Sequence, residues 1–296
     1  MSLPRCFVCG YSELKNQDSN YMRCGRCGHE TLREGQVQGY IVNDLLSKED
    51  VDSRTGLDRF KDRVLRRFDP APPHNALWVD VGSASGKYLY HNRSLYPKSL
   101  GLEITPSAVE FSRDVLGLKI AENIKDLPEA MHVITAWHSL EHFPAAELER
   151  LLHAFNAACD ENARVIISVP NAGSLQYSWF GESYPFYDVP NHLHQFTPES
   201  LDRLMRRFGF WKMRDAISWP YNTFGYIQGL LNLITGEHNY LYYRLKRRSR
   251  KASVWQDTMN TILLPVVAPI GILLGFLDAW NPKLQGVITA CYKKDH

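Results

Sequence analysis

Short apolar runs alternate with amphipathic stretches between residues 55 and 220, and this alternation limits the chain to few folds. Helices are predicted at about 55–68, 85–96, 105–116, 145–159 and 197–208, and strands at 76–81, 99–103, 118–121, 132–137, 164–169 and 210–219. Such alternation is typical of a mostly parallel sheet with helices on both faces. The sequence therefore predicts a doubly wound α/β fold, in which ligands bind at the carboxyl ends of the strands.

The composition is that of an ordinary globular chain. Of the 296 residues, 44% are hydrophobic and 22% are charged, which excludes disorder for most of the chain. Six cysteines are too few for a disulfide scaffold of this length. The net charge of +2 gives no argument for nucleic acid as a partner. The first ten residues lack the apolar core of a signal peptide, so we expect a cytoplasmic protein.

Two Cys-x-x-Cys-Gly motifs lie within the first 28 residues. Their cysteines are Cys6, Cys9, Cys24 and Cys27. Paired motifs at this spacing predict a four-cysteine zinc site, whereas redox motifs, the alternative, occur singly. His29 follows the second motif; we interpret it as a solvent-facing side chain, with replacement of one cysteine ligand as the alternative. Zinc is expected to stabilise a module too small for a core of its own, so its loss should leave the central sheet folded.

A turn of small residues follows the first predicted strand of the α/β region. Gly82, Ala84 and Gly86 allow the backbone to approach a bound cofactor closely. The spacing excludes a phosphate-binding P-loop, which needs four residues between its glycines, and it does not match a GxGxxG dinucleotide fingerprint. Glu103 ends the next strand 21 residues after Gly82. That position suits a carboxylate that binds ribose hydroxyls.

As a set, these motifs resemble class I S-adenosylmethionine-dependent methyltransferases. The pattern comprises Asp80-x-Gly82-x-Ala84-x-Gly86, Glu103, the Leu-Glu-His motif within 137–143, and Pro-x-His-x-x-x-Phe-Thr at 190–197. The bacterial group that carries the Leu-Glu-His motif after strand four is the most similar. The resemblance implies S-adenosylmethionine as cofactor and a seven-stranded sheet, with an antiparallel last strand at 286–292.

The resemblance also implies which residues bind the cofactor: Asp80, Gly82, Ala84, Gly86, Glu103, Asn123 and Trp137. Two of them depart from the family pattern. Ala84 stands where glycine is usual, which is tolerable if its backbone is not left-handed. Asn123 stands where an aspartate often contacts adenine.

Three histidines, His138, His192 and His194, are the candidates for contact with the acceptor or for general-base catalysis. An oxygen or nitrogen acceptor needs a base near neutral pH, but each histidine could instead be structural. Glu141 and His142 lie at a helix start, where capping and support are the alternative to catalysis. A metal site at His192 and His194 would lack a third ligand in the sequence pattern.

An apolar insertion precedes the last predicted strand. It contains six basic residues at 244–251, followed by an uncharged stretch of 20 residues at 258–277. This stretch is long enough to span a bilayer, but the chain must return to the sheet. We therefore expect an insertion that lies on or dips into an anionic membrane surface. A packed helical subdomain or a dimer interface is the alternative.

The sequence thus predicts a zinc ribbon at 1–32, a linker or lid at 33–54, a methyltransferase domain at 55–220, an insertion at 221–283 and the last strand at 284–296. The expected function is methylation, on oxygen, of a glycan, a lipid-linked sugar or another amphipathic small molecule. The expected location is the inner face of the cytoplasmic membrane, as a peripheral protein. The alternatives are an RNA or protein methyltransferase recruited through the zinc ribbon, and a non-catalytic module that binds S-adenosylmethionine.

Overall fold

A computed structural model describes residues 5–33, 46–245 and 254–294. Most of the predicted linker and most of the basic run, including Arg247, Arg248 and Arg250, lie outside the described residues.

The cysteine-containing region forms a small antiparallel sheet of three strands, β1 (Leu14–Asn16), β2 (Tyr21–Cys24) and β3 (Glu30–Leu32). Gly10 and Gly28, which close the two cysteine motifs, both have left-handed backbones, with φ of 69° and 71°. Each amide donates to the carbonyl of the first cysteine of its motif, over 2.8 and 3.0 Å. Glycine is required at both turns because a Cβ would strain this conformation.

Two helices, α1 (Lys48–Asp52) and α2 (Gly56–Phe68), precede the central sheet. Thr55 and Asp58 form a capping box at the start of α2, which satisfies two amides that lack partners within the helix. The buried face of α2 carries Phe60, Val64 and Leu65. This face packs over the carboxyl edge of the sheet, where Phe60 lies edge-on to Trp137.

The central sheet contains seven strands. The strands from this point along the chain are β4 (Leu77–Val81), β5 (Lys98–Leu102), β6 (Ile120–Ala121), β7 (Met131–Trp137), β8 (Cys159–Pro170), β9 (His194–Gln195), β10 (Phe210–Asp215) and β11 (Val287–Lys294). All of these except β9 form the sheet, in the order β10-β11-β8-β7-β4-β5-β6. Its interior strands are apolar because helices cover both faces.

The helices of this region are α3 (Lys87–Asn92), α4 (Pro106–Glu110), α5 (Ala145–Ala158), α6 (Leu175–Phe180), α7 (Pro198–Arg207), α8 (Trp219–Thr235), α9 (Tyr240–Leu245) and α10 (Val254–Asp278). A π-helical turn over Phe111–Val115 continues α4. The predicted helix at 85–96 and the predicted strand at 210–219 are both longer than the observed α3 and β10.

The doubly wound, mostly parallel seven-stranded sheet predicted from the sequence is confirmed. β11 runs antiparallel to both of its neighbours, β8 and β10. The chain therefore returns to the sheet after α10, as expected for an insertion between the last two strands.

Strand β9 does not belong to the central sheet. It pairs antiparallel with β3 and makes the cysteine region a four-stranded sheet. Cys6, Cys24 and Cys27 pack in the same apolar core as residues of β7, β8 and α7. The cysteine region, predicted to be too small for a core of its own, thus shares the apolar core of the central sheet.

Helices α8 and α10 pack closely against each other. A Cβ on Gly271 would lie 2.9 Å from the amide nitrogen of Ile227, and one on Gly275 would lie 2.8 Å from Cα of Thr223. Real Cβ atoms do not come so close to backbone, so glycine is needed at both positions. This small-x-x-x-small spacing lets two helix backbones approach, as in membrane helix pairs.

The remaining surface of α10 is exposed and apolar. Only a narrow stripe that includes Asn260, Val267, Gly271 and Gly275 is buried. The outward side chains are Ile262, Val266, Ile270, Ile272, Leu273, Phe276 and Leu277. Among the described residues, α10 is the one helix whose length and hydropathy would allow it to cross a membrane.

Candidate active site

The turn after β4 has the backbone shape that close approach of a ligand requires. Gly82 has φ of 67°, and a Cβ there would lie 2.5 Å from Cβ of Ser139. Gly86 has φ of 70°, and its added Cβ would lie 2.8 Å from Oγ of Ser112. Ala84 also has a left-handed backbone, with φ of 47°. Alanine would be unstrained here only if its backbone were not left-handed. Because it is left-handed, this turn carries local strain.

Glu103 is buried at the end of β5 and holds the turn in place. Its Oε2 accepts a hydrogen bond of 2.9 Å from the amide of Ala84. Its Oε1 accepts from the amides of Ile104 and Thr105, at 2.9 and 2.8 Å. A carboxylate offers about four acceptor positions. The side chain can therefore fix the turn and still accept from a ribose hydroxyl.

Buried polar atoms without partners surround this turn. Among the described residues, Oγ of Ser83, Nε1 of Trp137 and Oγ of Ser139 have no hydrogen-bond partner. Buried polar groups are normally paired. Three such atoms lie beside a turn in which Gly82 and Gly86 have no room for a Cβ. This arrangement fits a polar ligand such as S-adenosylmethionine.

Asp80 is buried on β4, where it accepts a hydrogen bond from Thr135. Burial raises its pKa to about 7, although the hydrogen bond from Thr135 lowers it. Asn123 lies beyond the carboxyl end of β6, exposed, and its Oδ1 accepts from the amide of Lys125 at 3.0 Å. Both assignments to the cofactor remain predictions.

A carboxylate and three histidines form a cluster beyond the carboxyl end of β7, with His192 contributed by the segment just before β9. Glu141 is fully buried, and its Oε1 lies 3.5 Å from Nδ1 of His138 and 3.9 Å from Nε2 of His192. The rings of His142 and His192 meet edge-on at 4.7 Å. Burial acts to raise the pKa of Glu141, but the facing imidazoles outweigh it and lower the pKa below its usual value. The carboxylate is therefore ionised at neutral pH.

His138 is held in an unusual backbone conformation, with φ of 51°. Its ring stacks on Phe186 at 5.4 Å and lies 5.0 Å from the ring of Tyr221, the third residue of α8. Non-glycine residues with positive φ concentrate at functional sites because the surroundings must hold them there. The structure thus brings His138 and His192 together around Glu141.

His194 has different surroundings. Its Nδ1 lies 3.2 Å from Nε2 of His29, and its ring stacks on Phe7 at 5.2 Å. His29 is 1% exposed, so its interpretation as a solvent-facing side chain is wrong. Burial lowers the pKa of His29 well below its usual value, and the neighbouring His194 ring lowers it further. The contact between these two rings joins the cysteine region to β9. The predicted catalytic role of His194 remains untested.

The four cysteine sulfurs converge on one point. Sγ of Cys6 lies 3.6 Å from Sγ of Cys27, and Cys9 and Cys24 are separated by the same distance. All four sulfurs lie within 4.8 Å of one another. Tetrahedral zinc with bonds of about 2.3 Å places its sulfurs about 3.8 Å apart. The donor set and its spacing therefore suit zinc.

The sheet order, the turn after β4 and the carboxylate that ends β5 define the fold of the class I methyltransferases. The chain belongs to the family described as a methyltransferase domain, which matches residues 53–212. The protein is a methyltransferase that depends on S-adenosylmethionine.

Solved structures with similar folds include a putative sarcosine dimethylglycine methyltransferase from Galdieria sulphuraria. It is 12% identical, with a TM-score of 0.51 over 84% of this chain and 92% of that one. The [4+2]-cyclase SpnF is 14% identical, with a TM-score of 0.51 over 80% of each chain. A SAM-dependent methyltransferase from Archaeoglobus fulgidus is 19% identical, with a TM-score of 0.47 over 83% and 97%. At these identities the first two structures share the fold alone. No curated protein matches the chain significantly.

Sequence reasoning did not identify the Glu141 cluster as a unit. Glu141 and His192 are 51 positions apart in the chain, and their proximity depends on backbone contacts such as the amide of Leu193 donating to the carbonyl of Glu141 at 2.8 Å. Phe186 and Tyr221 were missed as well, because aromatic residues in a loop and at a helix start carry no distinctive pattern.

Proposed function

We propose that this methyltransferase acts on an oxygen of a glycan, a lipid-linked sugar or another amphipathic small molecule at a membrane surface. One observation carries the proposal: α8 connects the catalytic cluster to the apolar helix α10. Tyr221 of α8 contacts His138, and Ile227 and Thr223 of the same helix pack against α10. An acceptor with an apolar part could therefore reach the site from the surface that α10 presents.

The packing of α8 supports a helix α10 that lies on the membrane and does not cross it. Gly229 packs against Phe180 of α6, and Asn232 donates to the carbonyl of Ser183 at 2.9 Å. Beyond α8, Asn239 donates to the carbonyl of Pro185 at 2.8 Å. Helix α8 and the residues that follow it thus pack along the domain. A spanning α10 would have to pull α8 away from these contacts.

S-adenosylmethionine supplies an electrophilic methyl group whose leaving group is neutral, so the chain mainly orients and desolvates the reactants. In the proposed site, Glu103, Trp137 and the turn at 82–86 hold the cofactor. Phe186 and Tyr221 exclude water from the ring of His138. His138 and His192 lie beside Glu141, and His138, the less buried of the two rings, could take a proton from an acceptor hydroxyl.

Membrane attachment is tested with vesicles. We expect the protein to float with vesicles of phosphatidylglycerol and phosphatidylcholine, because burying the face of α10 removes apolar surface from water at about 25 cal/mol per Å². Ile270→Glu with Phe276→Glu should abolish flotation, since both side chains are about half exposed on α10. Neutralising Arg247, Arg248 and Arg250 should weaken it in a salt-sensitive way.

Met213→Glu is the matched control, because Met213 is equally exposed but lies on β10. It should float like the wild type. A wild type that stays soluble with these vesicles would mean that α10 serves as a dimer interface or another packed surface.

The acceptor class is tested by transfer of radiolabelled methyl from S-adenosylmethionine. We expect the label in the organic phase of a lipid-glycan extract. Mild acid, which releases the sugar from the lipid, should then move the label to the water phase. Label that stays on the lipid after hydrolysis, or label in RNA or protein instead, would contradict a methylated sugar.

A second candidate, an RNA methyltransferase recruited through the cysteine region, has one observation in its favour. A cleft of about 1300 Å³ lies between this region and α7, and it is lined by basic side chains that include Lys15, Arg26, Arg206 and Lys283. Several neighbours are already in ion pairs, such as Arg203 with Glu199 at 2.7 Å. Retention on RNA that falls steeply with salt would favour this candidate.

A further inference from the structure

We propose that Glu141, His142 and His192 bind a first-row divalent cation at the acceptor side of the active site. One ligand atom from each of these residues lies within 4.8 Å of the other two. This site is distinct from the four-cysteine cluster. It stands on its geometry, and only its role in catalysis rests on the proposed function.

Glu141 is the centre of the argument. It is 0% exposed, and neither carboxylate oxygen has a hydrogen-bond partner among the described residues. A carboxyl group without hydrogen bonds is costly to bury, and a bound metal ion is one way to compensate that cost. Nδ1 of His138 and Nε2 of His192 lie 3.5 and 3.9 Å from Oε1 of Glu141, which is too far for good hydrogen bonds.

The spacing suits a shared ion. Ligands on one cation, with bonds of about 2.1 Å, lie about 3.0–3.5 Å apart. Nε2 of His192 is 3.9 Å from Oε1 of Glu141, so a shift of less than about 1 Å in these side chains would complete the contacts.

One of the two histidines, His142, makes the backbone contact that is typical of a metal ligand. Nδ1 of His142 donates to the carbonyl oxygen of Asn191 at 2.9 Å, so Nε2 is the ring nitrogen that could bind a metal. Nδ1 of His192 has no partner among the described residues. A carbonyl partner of this kind fixes the ring and the tautomer of a ligating histidine.

The donor set indicates the class of ion. One carboxylate with two imidazoles suits Mn²⁺, Fe²⁺ or Zn²⁺, whereas Mg²⁺ and Ca²⁺ prefer oxygen ligands. Three protein ligands would leave coordination positions open. The ion could bind an acceptor oxygen there, lower the pKa of its hydroxyl and fix it near the cofactor pocket.

The test uses the full chain with zinc in its cysteine site, titrated with Mn²⁺, a probe that thiolates bind poorly. Electron paramagnetic resonance should count about one bound Mn²⁺ per chain. Glu141→Gln should weaken binding by about 100-fold or more. His153→Ala, a surface histidine variant on α5, should bind as the wild type does.

If the Glu141→Gln variant does not fold, a second measurement on the wild-type protein tests the site. In the wild type, bound Mn²⁺ should broaden the ring signals of His142 and His192 at lower Mn²⁺ concentrations than that of His153, which lies further along α5. No binding at millimolar Mn²⁺, equal binding by a folded Glu141→Gln, or broadening confined to the cysteine region would each overturn the site.

The outcome is separable from that of the proposed function. A protein that transfers methyl to a sugar but binds no Mn²⁺ at millimolar concentration would overturn the ion site and leave the acceptor class in place. Mn²⁺ binding that depends on Glu141, in a protein that labels no sugar, would keep the site and overturn the acceptor class.

Discussion

Cys24→Ser is expected to release zinc and to destabilise the whole described fold, not the cysteine region alone. Cys24 is 1% exposed and belongs to the main apolar core with Cys6 and Cys27. Loss of a structural zinc site removes binding energy that is also folding energy. We expect a fall in the melting temperature of about 10 °C, which corresponds to about 3–5 kcal/mol for a chain of this size.

Metal analysis and thermal unfolding measure the two effects. Cys159→Ser is the matched control, since Cys159 is also buried but lies at the start of β8, away from the cluster. It should keep one zinc per chain. A Cys24→Ser variant that loses zinc yet unfolds at the wild-type temperature would show that the cysteine region is energetically separate.

Glu103→Ala is expected to weaken S-adenosylmethionine binding by roughly tenfold to a hundredfold, because the ribose hydroxyls lose a charged acceptor worth about 1–3 kcal/mol. Three amides lose their acceptor in this variant, and that of Ala84 belongs to the cofactor turn. The turn then also loses the bond that holds its strained residue in place.

Calorimetry with S-adenosylhomocysteine measures the affinity without turnover. Glu110→Ala, an exposed glutamate variant at the end of α4, should bind as tightly as the wild type. Unchanged affinity in a folded Glu103→Ala protein would remove Glu103 from the cofactor site.

The sheet could be predicted from the sequence because its strands are continuous apolar runs between turns. Val79 and Val81, for example, are fully buried, and the run around them ends at Gly82 where the strand ends. The four cysteines were also predictable, because their spacing encodes a local turn that Gly10 and Gly28 complete. In both cases the signal lies within a few neighbouring residues.

The remaining parts of the site depend on contacts between distant positions. His29 was interpreted as exposed because nothing nearby in the sequence indicates that β3 pairs with β9. The same pairing places His194 against the cysteine region. Ala84 gave no local sign of its left-handed backbone, which Glu103, 19 positions later, helps to impose through a hydrogen bond.

The position of β11 in the sheet ties the order of synthesis to the order of folding. β11 supplies the hydrogen bonds that join β10 to β8, yet it follows α10 in the chain. Until the ribosome has made β11, the edge of β8 is unpaired and β10 has no neighbour in the central sheet. The nascent chain therefore contains its most apolar helix before the strand that completes the central sheet, so pairing of β11 is the last step in forming that sheet.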